Sequence, residues 1–182
     1  MSKMNIAITQ RTTEINGFTY DCMSKEWYLF LHDHNIIPIP NWCREVDLFG
    51  IDMLILSGGN NSSDRKRTET DAVNYCIQHD IPVLGVCHGA FMLNEFFDGT
   101  TKDIEGHMNT KHPVTLEGSQ YYCNSYHTIA IDKLSKQLTN IGEDGDGNCE
   151  AFQHVSFPIW GVVWHPERME DILLPSKVRN MI

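Results

Sequence analysis

The sequence predicts an α/β fold: an open, mostly parallel sheet with helices on both faces and an antiparallel C-terminal portion. Short, wholly apolar runs typical of buried strands recur through the chain, and segments with helical apolar spacing separate them in the first half. The second half contains mainly short strands and turns. Strands that alternate with helices form parallel sheets, because each crossover helix returns the chain to the same edge. We expect one domain over residues 1–182.

Apolar runs give the positions of the predicted strands. Residues 5–9 (NIAIT), 53–56 (MLIL), 82–86 (PVLGV) and 160–164 (WGVVW) are short enough for strands and apolar enough to be buried on both faces. Residues 36–40 (IIPIP) predict an edge strand, since proline cannot donate to a central ladder.

Helical spacing predicts three helices. The first runs from 21 to 34, with Asp21 as its N-cap; the second includes residues 72–77 and the third residues 89–97. The Gly/Asp-rich stretch 142–147 predicts a solvated turn. A calcium-binding EF-hand loop is excluded there, because the side chains do not match its ligand spacing.

Composition excludes several classes of protein. The net charge of −10, from 14 Lys and Arg against 24 Asp and Glu, disfavours nucleic-acid binding. There is no apolar run of about 18 residues and no secretory signal, so we expect a cytoplasmic protein with no membrane partner. The cysteines lack a C-x-x-C pair, so we expect free thiols, no metal and no cofactor; they are Cys22, Cys43, Cys76, Cys87, Cys123 and Cys149.

The segment Gly85-Val86-Cys87-His88-Gly89 lies between a predicted strand and a predicted helix. This G-x-C-x-G pattern is a nucleophile elbow with cysteine in place of serine. The amides at the start of the following helix favour a thiolate and can hold an oxyanion. The pattern therefore predicts Cys87 as a nucleophile.

A thiolate nucleophile requires a base and a group that orients it. His165 and Glu167 follow the last predicted strand. Because the carboxyl ends of parallel strands meet at one crevice, His165 is expected to reach Cys87, and Glu167 to accept the other imidazole proton.

Four motifs occur in order: SGGN at 57–60, GVCHGA around Cys87, NSYH at 124–127 and WHPE at 164–167. Together they resemble class I glutamine amidotransferases, above all the free-standing γ-glutamyl hydrolase branch. The resemblance implies a flavodoxin-like fold, a catalytic triad and a γ-glutamyl thioester. It also implies roles for further residues. The triad is Cys87, His165 and Glu167; the amides of Gly59 and His88 hold the oxyanion; substrate contacts come from Gly58, Asn60, Asn124, Ser125, Tyr126 and His127.

Basic residues stand out in this acidic chain. Arg11 follows the first strand, and Arg65 and Arg67 follow the SGGN loop, so we expect them near the crevice, where they suit a phosphate-bearing leaving group. The alternative is a solvated loop. The arrangement also resembles hydrolases of bacterial surface-polysaccharide synthesis, which implies a small nucleotide-linked substrate, γ-glutamyl-CDP-amidate, cleaved to glutamate and cytidine diphosphoramidate for capsule modification.

Three alternatives remain open at this point. One is a glutaminase subunit that delivers ammonia to a separate synthase, which the short chain does not favour. Another is hydrolysis of a different γ-glutamyl amide, such as those of polyamine breakdown or folate polyglutamates. The third rests on His88, which directly follows the nucleophile as in the Cys-His protease and chaperone branch of the superfamily. His107 and His112 flank a loop without an assigned role.

Overall fold

The computed structural model describes residues 3–41 and 48–182. The strands are β1 (Asn5–Thr9), β2 (Arg11–Ile15), β3 (Phe18–Cys22), β4 (Asn35–Ile39), β5 (Met53–Leu56), β6 (Val83–Val86), β7 (Thr100–Asp103), β8 (Met108–Leu116), β9 (Ser119–Tyr126), β10 (Ile129–Lys133), β11 (Leu138–Asp144), β12 (Cys149–His154) and β13 (Ile159–Val162). The helices are α1 (Lys25–Phe30), α2 (Ser63–His79), α3 (His88–Phe96) and α4 (Ser176–Arg179). Five cysteines in this part are free thiols, whereas Cys43 lies outside the described residues.

One sheet of nine strands, in the order β4-β1-β5-β6-β13-β12-β11-β8-β9, forms the centre of the molecule. The first five are mutually parallel, and β5, β6 and β13 are wholly buried. The remaining strands pair antiparallel. The predicted strands and the proline-containing edge strand are therefore confirmed, with ends shifted by one or two residues.

Helices α2 and α3 follow β5 and β6, two strands of the parallel half. Ser62 caps the N-terminus of α2, since its hydroxyl accepts a hydrogen bond from the amide of Arg65 at 3.2 Å. It buries Ala72, Val73 and Cys76, as their spacing predicts. Helix α3 follows β6 directly and packs on β5, β6 and β13. Within the described ranges, no helix is both long and apolar enough to cross a membrane.

The helix predicted over 21–34 is mostly wrong. Residues 11–22 form the separate ribbon β2–β3, and helix α1 is only six residues long. The ribbon turns at Asn16 and Gly17, with φ values of 53° and 79°, the Asn-Gly pair that favours tight hairpins. Asp21 does not cap a helix; its carboxylate accepts hydrogen bonds from the amide and side chain of Asn41 at 2.8 and 2.7 Å.

The stretch 142–147 is only partly the predicted solvated turn. Its first three residues complete β11, and Asp144 is buried. The Asp144 carboxylate accepts hydrogen bonds from the amides of Asp146 and Asn148 at 2.9 and 2.8 Å and from the Asn148 side chain at 2.8 Å. The turn is therefore organised around a buried acid, which composition alone does not reveal.

Substitution of Gly89 is expected to test the packing of α3 against β5. An alanine Cβ there would lie 2.2 Å from the Leu56 carbonyl oxygen. Helix propensity favours alanine by about 1 kcal/mol, but such overlap with backbone outweighs it. Gly89→Ala should lower the free energy of unfolding by about 1–3 kcal/mol in urea titrations. Gly145→Ala, whose Cβ meets nothing within 4 Å, is the matched control and should change it little.

Candidate active site

Cys87 occupies a strained turn between β6 and α3. Its φ of 50° and ψ of −104° are unusual for a residue with a side chain, as expected at a nucleophile elbow. Its amide donates to the Val162 carbonyl at 2.9 Å, and its carbonyl accepts from the amides of Ala90 and Phe91 at 3.0 and 3.1 Å. These bonds fix the sulfur at the carboxyl end of β6, next to β13.

His165 and Glu167 follow β13, the neighbour of β6. The His165 Nδ1 lies 2.7 Å from Glu167 Oε1, and both side chains are buried. Burial alone would lower the pKa of His165, but hydrogen bonds with the Cys87 side chain and with Glu167 outweigh it and raise that pKa to about 9. The structure thus brings the three predicted catalytic residues together, with the His165 side chain interacting with both Cys87 and Glu167.

Asn124 positions His165 through its main chain. The Asn124 Nδ2 donates to the His165 carbonyl, and the His165 amide donates to Asn124 Oδ1, both at 2.8 Å. Both polar ends of this buried side chain are therefore already used within the protein. Asn124 therefore places His165, and its expected contact with the glutamyl group stays a prediction.

The other NSYH residues have separate environments. Ser125 is buried, and its hydroxyl donates to the His107 carbonyl at 2.5 Å. The Tyr126 ring lies edge-on to His165, with 5.7 Å between centroids, and is partly exposed. His127 is buried and its Nδ1 lies 2.8 Å from the Ile129 carbonyl. Of the predicted substrate contacts in this segment, Tyr126 is the one that combines exposure with contact to the triad.

The SGGN loop lies against the catalytic imidazole. A Cβ at Gly58 would lie 2.4 Å from His165 Cε1, so the glycine is required for close approach. The Asn60 Nδ2 donates to the Thr12 hydroxyl at 2.7 Å, which ties the loop to the β2–β3 ribbon. This places Gly58 beside the triad and leaves Asn60 engaged with the ribbon.

Arg65 holds this loop in place and is not available to a leaving group. It is fully buried, and its guanidinium donates to the carbonyls of Ser57 at 2.5 Å and Asn60 at 3.1 Å and to Glu69 at 2.8 Å. It lies in the first turn of α2 rather than in a solvated loop. The prediction that Arg65 binds phosphate is therefore wrong.

Glu69 is a site residue that the sequence analysis missed. It accepts from Arg65 at 2.8 Å and from the Thr9 hydroxyl at 2.9 Å, and it lies 3.1 Å from His88 Nε2. Burial raises its pKa, but the contacts with His88 and Arg65 outweigh this and lower it overall. Because the His88 ring pairs with Glu69, the hypothesis of a Cys87–His88 dyad has no support in the geometry. The i, i+4 spacing of Arg65 and Glu69 was the available signal.

The two remaining predicted arginines lie in different surroundings. Arg11 is exposed and lines a small depression with Gly58 and Glu167, next to the triad. Arg67 is half-exposed on α2, where its Nη2 lies 3.5 Å from Asp64. The solvated alternative therefore describes Arg67, whereas Arg11 stands at the site.

A cleft of about 510 Å³ is lined by two residues that contact the triad. Asn124 and Arg168 line it, and Arg168 also approaches Glu167 at 3.4 Å and stacks over the Tyr126 ring at 5.2 Å. Two further cations and two tyrosines complete much of the lining; they are Lys111, Arg179, Tyr121 and Tyr122. No sequence motif indicates these residues, although Arg168 directly follows Glu167.

His107 and His112 belong to a buried cluster with His127 and Glu150. Burial lowers the pKa of His127 to about 4 and lowers that of His112. Burial, together with Asp144, raises the pKa of Glu150 to about 8. The cluster is joined to the active site by the NSYH segment.

The family glutamine amidotransferase class-I matches residues 27–180, which include Cys87, His165 and Glu167. The chain belongs to this family. Class I glutamine amidotransferases cleave amides, and the chain is accordingly an enzyme acting on a linear amide C–N bond.

Relatives of this amidotransferase include a γ-glutamyl-CDP-amidate hydrolase from Campylobacter jejuni, 33% identical over 91% of this chain and 90% of that protein. A glutamine-hydrolysing GMP synthase from Ehrlichia ruminantium is 29% identical over 84% of this chain and 26% of its own length. A glutamine amidotransferase structure from Thermotoga maritima superposes with a TM-score of 0.73 at 15% identity, over 92% of this chain and 77% of that one. The family and the predicted fold are confirmed.

The raised pKa of His165 predicts pH-dependent stability. With a pKa of about 9 when folded and about 6.5 when unfolded, protonated His165 stabilises the fold fully below about pH 6.5, and this is lost as pH rises through 9. The difference in unfolding free energy between wild type and His165→Gln should shrink by about 3 kcal/mol between about pH 6 and pH 10. Urea titrations at both pH values measure it, and a constant difference would contradict the raised pKa.

Proposed function

We propose that this amidotransferase hydrolyses a γ-glutamyl amide through Cys87. The observation that carries the proposal is that His165, hydrogen-bonded to Glu167, also interacts with the Cys87 side chain where the neighbouring strands β6 and β13 end. In this order the side chains match a nucleophile, a general acid and base, and an orienting carboxylate.

The reaction follows from the positions of these groups. The Cys87 thiolate attacks the γ-carbonyl carbon, and the amides of Gly59 and His88 hold the oxyanion. The C–N bond breaks as the amine takes a proton from the His165 imidazolium, which leaves a γ-glutamyl thioester on the sulfur. Neutral His165 then takes a proton from water, whose oxygen attacks the thioester; glutamate leaves and the sulfur is free again.

We further propose that the leaving amine carries a nucleoside diphosphate and occupies the cleft beside Arg168. The relative from C. jejuni is named for γ-glutamyl-CDP-amidate. Arg168 stands between triad and cleft, and Lys111 and Arg179 supply additional positive charge, while Glu170 and Asp171 also line it. One guanidinium group can donate two parallel hydrogen bonds to two oxygens of the same phosphate.

The tyrosines of the cleft suit the base of such a nucleotide. Tyr121 and Tyr122 are 40% and 69% exposed, so their ring faces are accessible in this structure. Aromatic faces stack on nucleobases with a contribution of about 1–3 kcal/mol each. The proposed substrate therefore spans the molecule from the Cys87 sulfur to the cleft.

A glutaminase subunit that supplies ammonia to a synthase is the second candidate, favoured by the similarity to the glutamine-hydrolysing GMP synthase. The purified chain distinguishes the two. A hydrolase cleaves γ-glutamyl amides alone, whereas a subunit becomes active when its synthase is added.

Triad variants should separate the two active-site histidines. His165→Ala should lower kcat by several orders of magnitude, since triad members act as a unit. His88→Ala should retain substantial activity, because its ring contacts Glu69 rather than the sulfur. Glu167→Gln should be less damaging than Cys87→Ala. Steady-state release of glutamate measures these effects; a more severe loss in His88→Ala than in His165→Ala would contradict the assignment.

Leaving-group recognition should depend on Arg168. Loss of one charge-assisted hydrogen bond costs about 1.5–3 kcal/mol, or about 10- to 150-fold. In Arg168→Ala, the ratio of kcat/KM for γ-glutamyl-CDP-amidate to that for glutamine should fall by about this factor, and Lys111→Ala should lower the ratio less. Arg67→Ala is the matched control, because Arg67 pairs with Asp64 on α2. An unchanged ratio in Arg168→Ala would refute binding of the nucleotide in this cleft.

A further inference from the structure

Four side chains from the antiparallel half converge in one buried cluster. His107 precedes β8, His112 lies on β8, His127 follows β9 and Glu150 lies on β12. One ligand atom of each lies within 4.8 Å of the ligand atoms of the others. Three of the residues are less than a tenth exposed, and His112 is partly buried. Imidazole nitrogen and carboxylate oxygen are the donors that zinc-like ions bind in proteins.

Neighbouring groups orient each of the three imidazoles. The His127 Nδ1 lies 2.8 Å from the Ile129 carbonyl, and the His112 Nδ1 lies 3.3 Å from the Pro113 carbonyl. A carbonyl only accepts, so both Nδ1 atoms carry the proton.

On His107 it is Nε2 that has a neighbouring acceptor, 3.6 Å from Asp144 Oδ2. The turn after β11 holds this carboxylate through three hydrogen bonds from Asp146 and Asn148. Ligand histidines in metal sites typically donate their second nitrogen to a carbonyl or a carboxylate, and such an oxygen lies near the second nitrogen of each of these three rings.

The opposite nitrogens make no hydrogen bond, although His127 Nε2 and His107 Nδ1 lie 3.7 and 4.0 Å from Glu150 Oε1. The buried atoms that lack a hydrogen bond include His107 Nδ1, His112 Nε2, His127 Nε2 and Glu150 Oε2. Each buried polar atom without a partner costs about 1–3 kcal/mol. A cation held between the three imidazole nitrogens and the Glu150 carboxylate would satisfy these groups together.

We propose that His107, His112, His127 and Glu150 bind a divalent transition-metal ion of the zinc class. Zinc bonds to nitrogen and oxygen are about 2.0–2.2 Å long, so tetrahedral ligand atoms lie about 3.3 Å apart. The side chains therefore draw inward on binding. Four protein ligands leave no open position, so the site is structural, and it is separate from the amide-cleaving chemistry.

The metal would stabilise the segment that places the catalytic base. His127 ends the NSYH segment, and Ser125 in the same segment donates to the carbonyl of His107. Asn124, at its start, holds the main chain of His165. The Glu150 carbonyl accepts from the Val163 amide at 2.8 Å, close to His165 in sequence. A metal at the cluster thus joins β8, β9 and β12 beside the base.

Metal binding to the full chain tests the proposal. Protein stripped with a chelator is titrated with Co²⁺, whose visible d–d bands report four-coordinate N/O ligation, and Zn²⁺ displacement is followed by metal analysis. The titration is done in Cys87→Ser, because Cys87 and His165 could bind metal through the thiolate. One equivalent per chain with tetrahedral bands is expected, with a higher melting temperature. Absence of binding, or binding only when Cys87 is present, would overturn the proposal.

Ligand variants locate the site. His112→Gln and Glu150→Gln should each weaken Co²⁺ binding by at least about 100-fold, since loss of outer groups alone costs 10–100-fold. His32→Ala, whose ring is exposed and lies outside the cluster, should bind as wild type. Circular dichroism checks that each variant is folded. Asp144→Asn leaves all four ligands intact and should weaken Co²⁺ binding by about 10–100-fold.

His107, Asp144 and Asp146 offer a competing acidic group of ligand atoms within the same 4.8 Å limit. Binding that survives His112→Gln but is lost in Asp146→Asn would move the ion there and overturn the proposed ligand set. Cobalt absorption and metal analysis do not depend on catalysis. Failure of metal binding is therefore distinguishable from failure of the proposed amide hydrolysis.

Discussion

One buried carboxylate, that of Glu69, connects the parts of the molecule that make the active site. It accepts from Thr9 at the end of β1, from Arg65, which holds the SGGN loop, and it pairs with His88 at the start of α3. Buried charges are costly unless paired, and removal of one partner typically costs about 3–5 kcal/mol. The network therefore couples the loop and the nucleophile's helix to a single set of interactions. The sequence signal for it is only an ordinary i, i+4 pair on a helix.

Both halves of the sheet contribute residues to the active site. The parallel half supplies Cys87 and brings His165 beside it, because β6 and β13 are adjacent and end at the same edge. The antiparallel half supplies Asn124, which fixes the His165 main chain. Nucleophile and base thus depend on a strained turn in one half and on a side-chain amide in the other.

Features encoded by neighbouring residues were predictable, and features made by distant ones were not. Apolar runs such as 53–56 indicated strands, and the G-x-C-x-G elbow indicated Cys87, because each is local. The Asn16-Gly17 turn was also a local signal, but the apolar spacing of the following residues obscured it. The His107 cluster and the cleft around Arg168 combine residues from several strands, so only the folded chain reveals them. For Arg65, a local sequence feature led to a wrong prediction. Its charge suggested phosphate binding, but the side chain is buried and holds the SGGN loop.

The β2–β3 ribbon is expected to open more easily than the central sheet. It pairs with no other strand in the described part of the chain, most of its side chains are exposed, and an isolated two-stranded ribbon is marginally stable. Its amide hydrogens should exchange through local opening of low free energy. Exchange of the amide hydrogens of buried β5 and β6 should require near-global unfolding. Through the hydrogen bond between Asn60 and Thr12 the ribbon borders the SGGN loop, which Arg65 holds through two of its carbonyls. The edge of the active site formed by Arg11 and the ribbon can therefore open locally, whereas the triad lies at the ends of strands in the buried sheet.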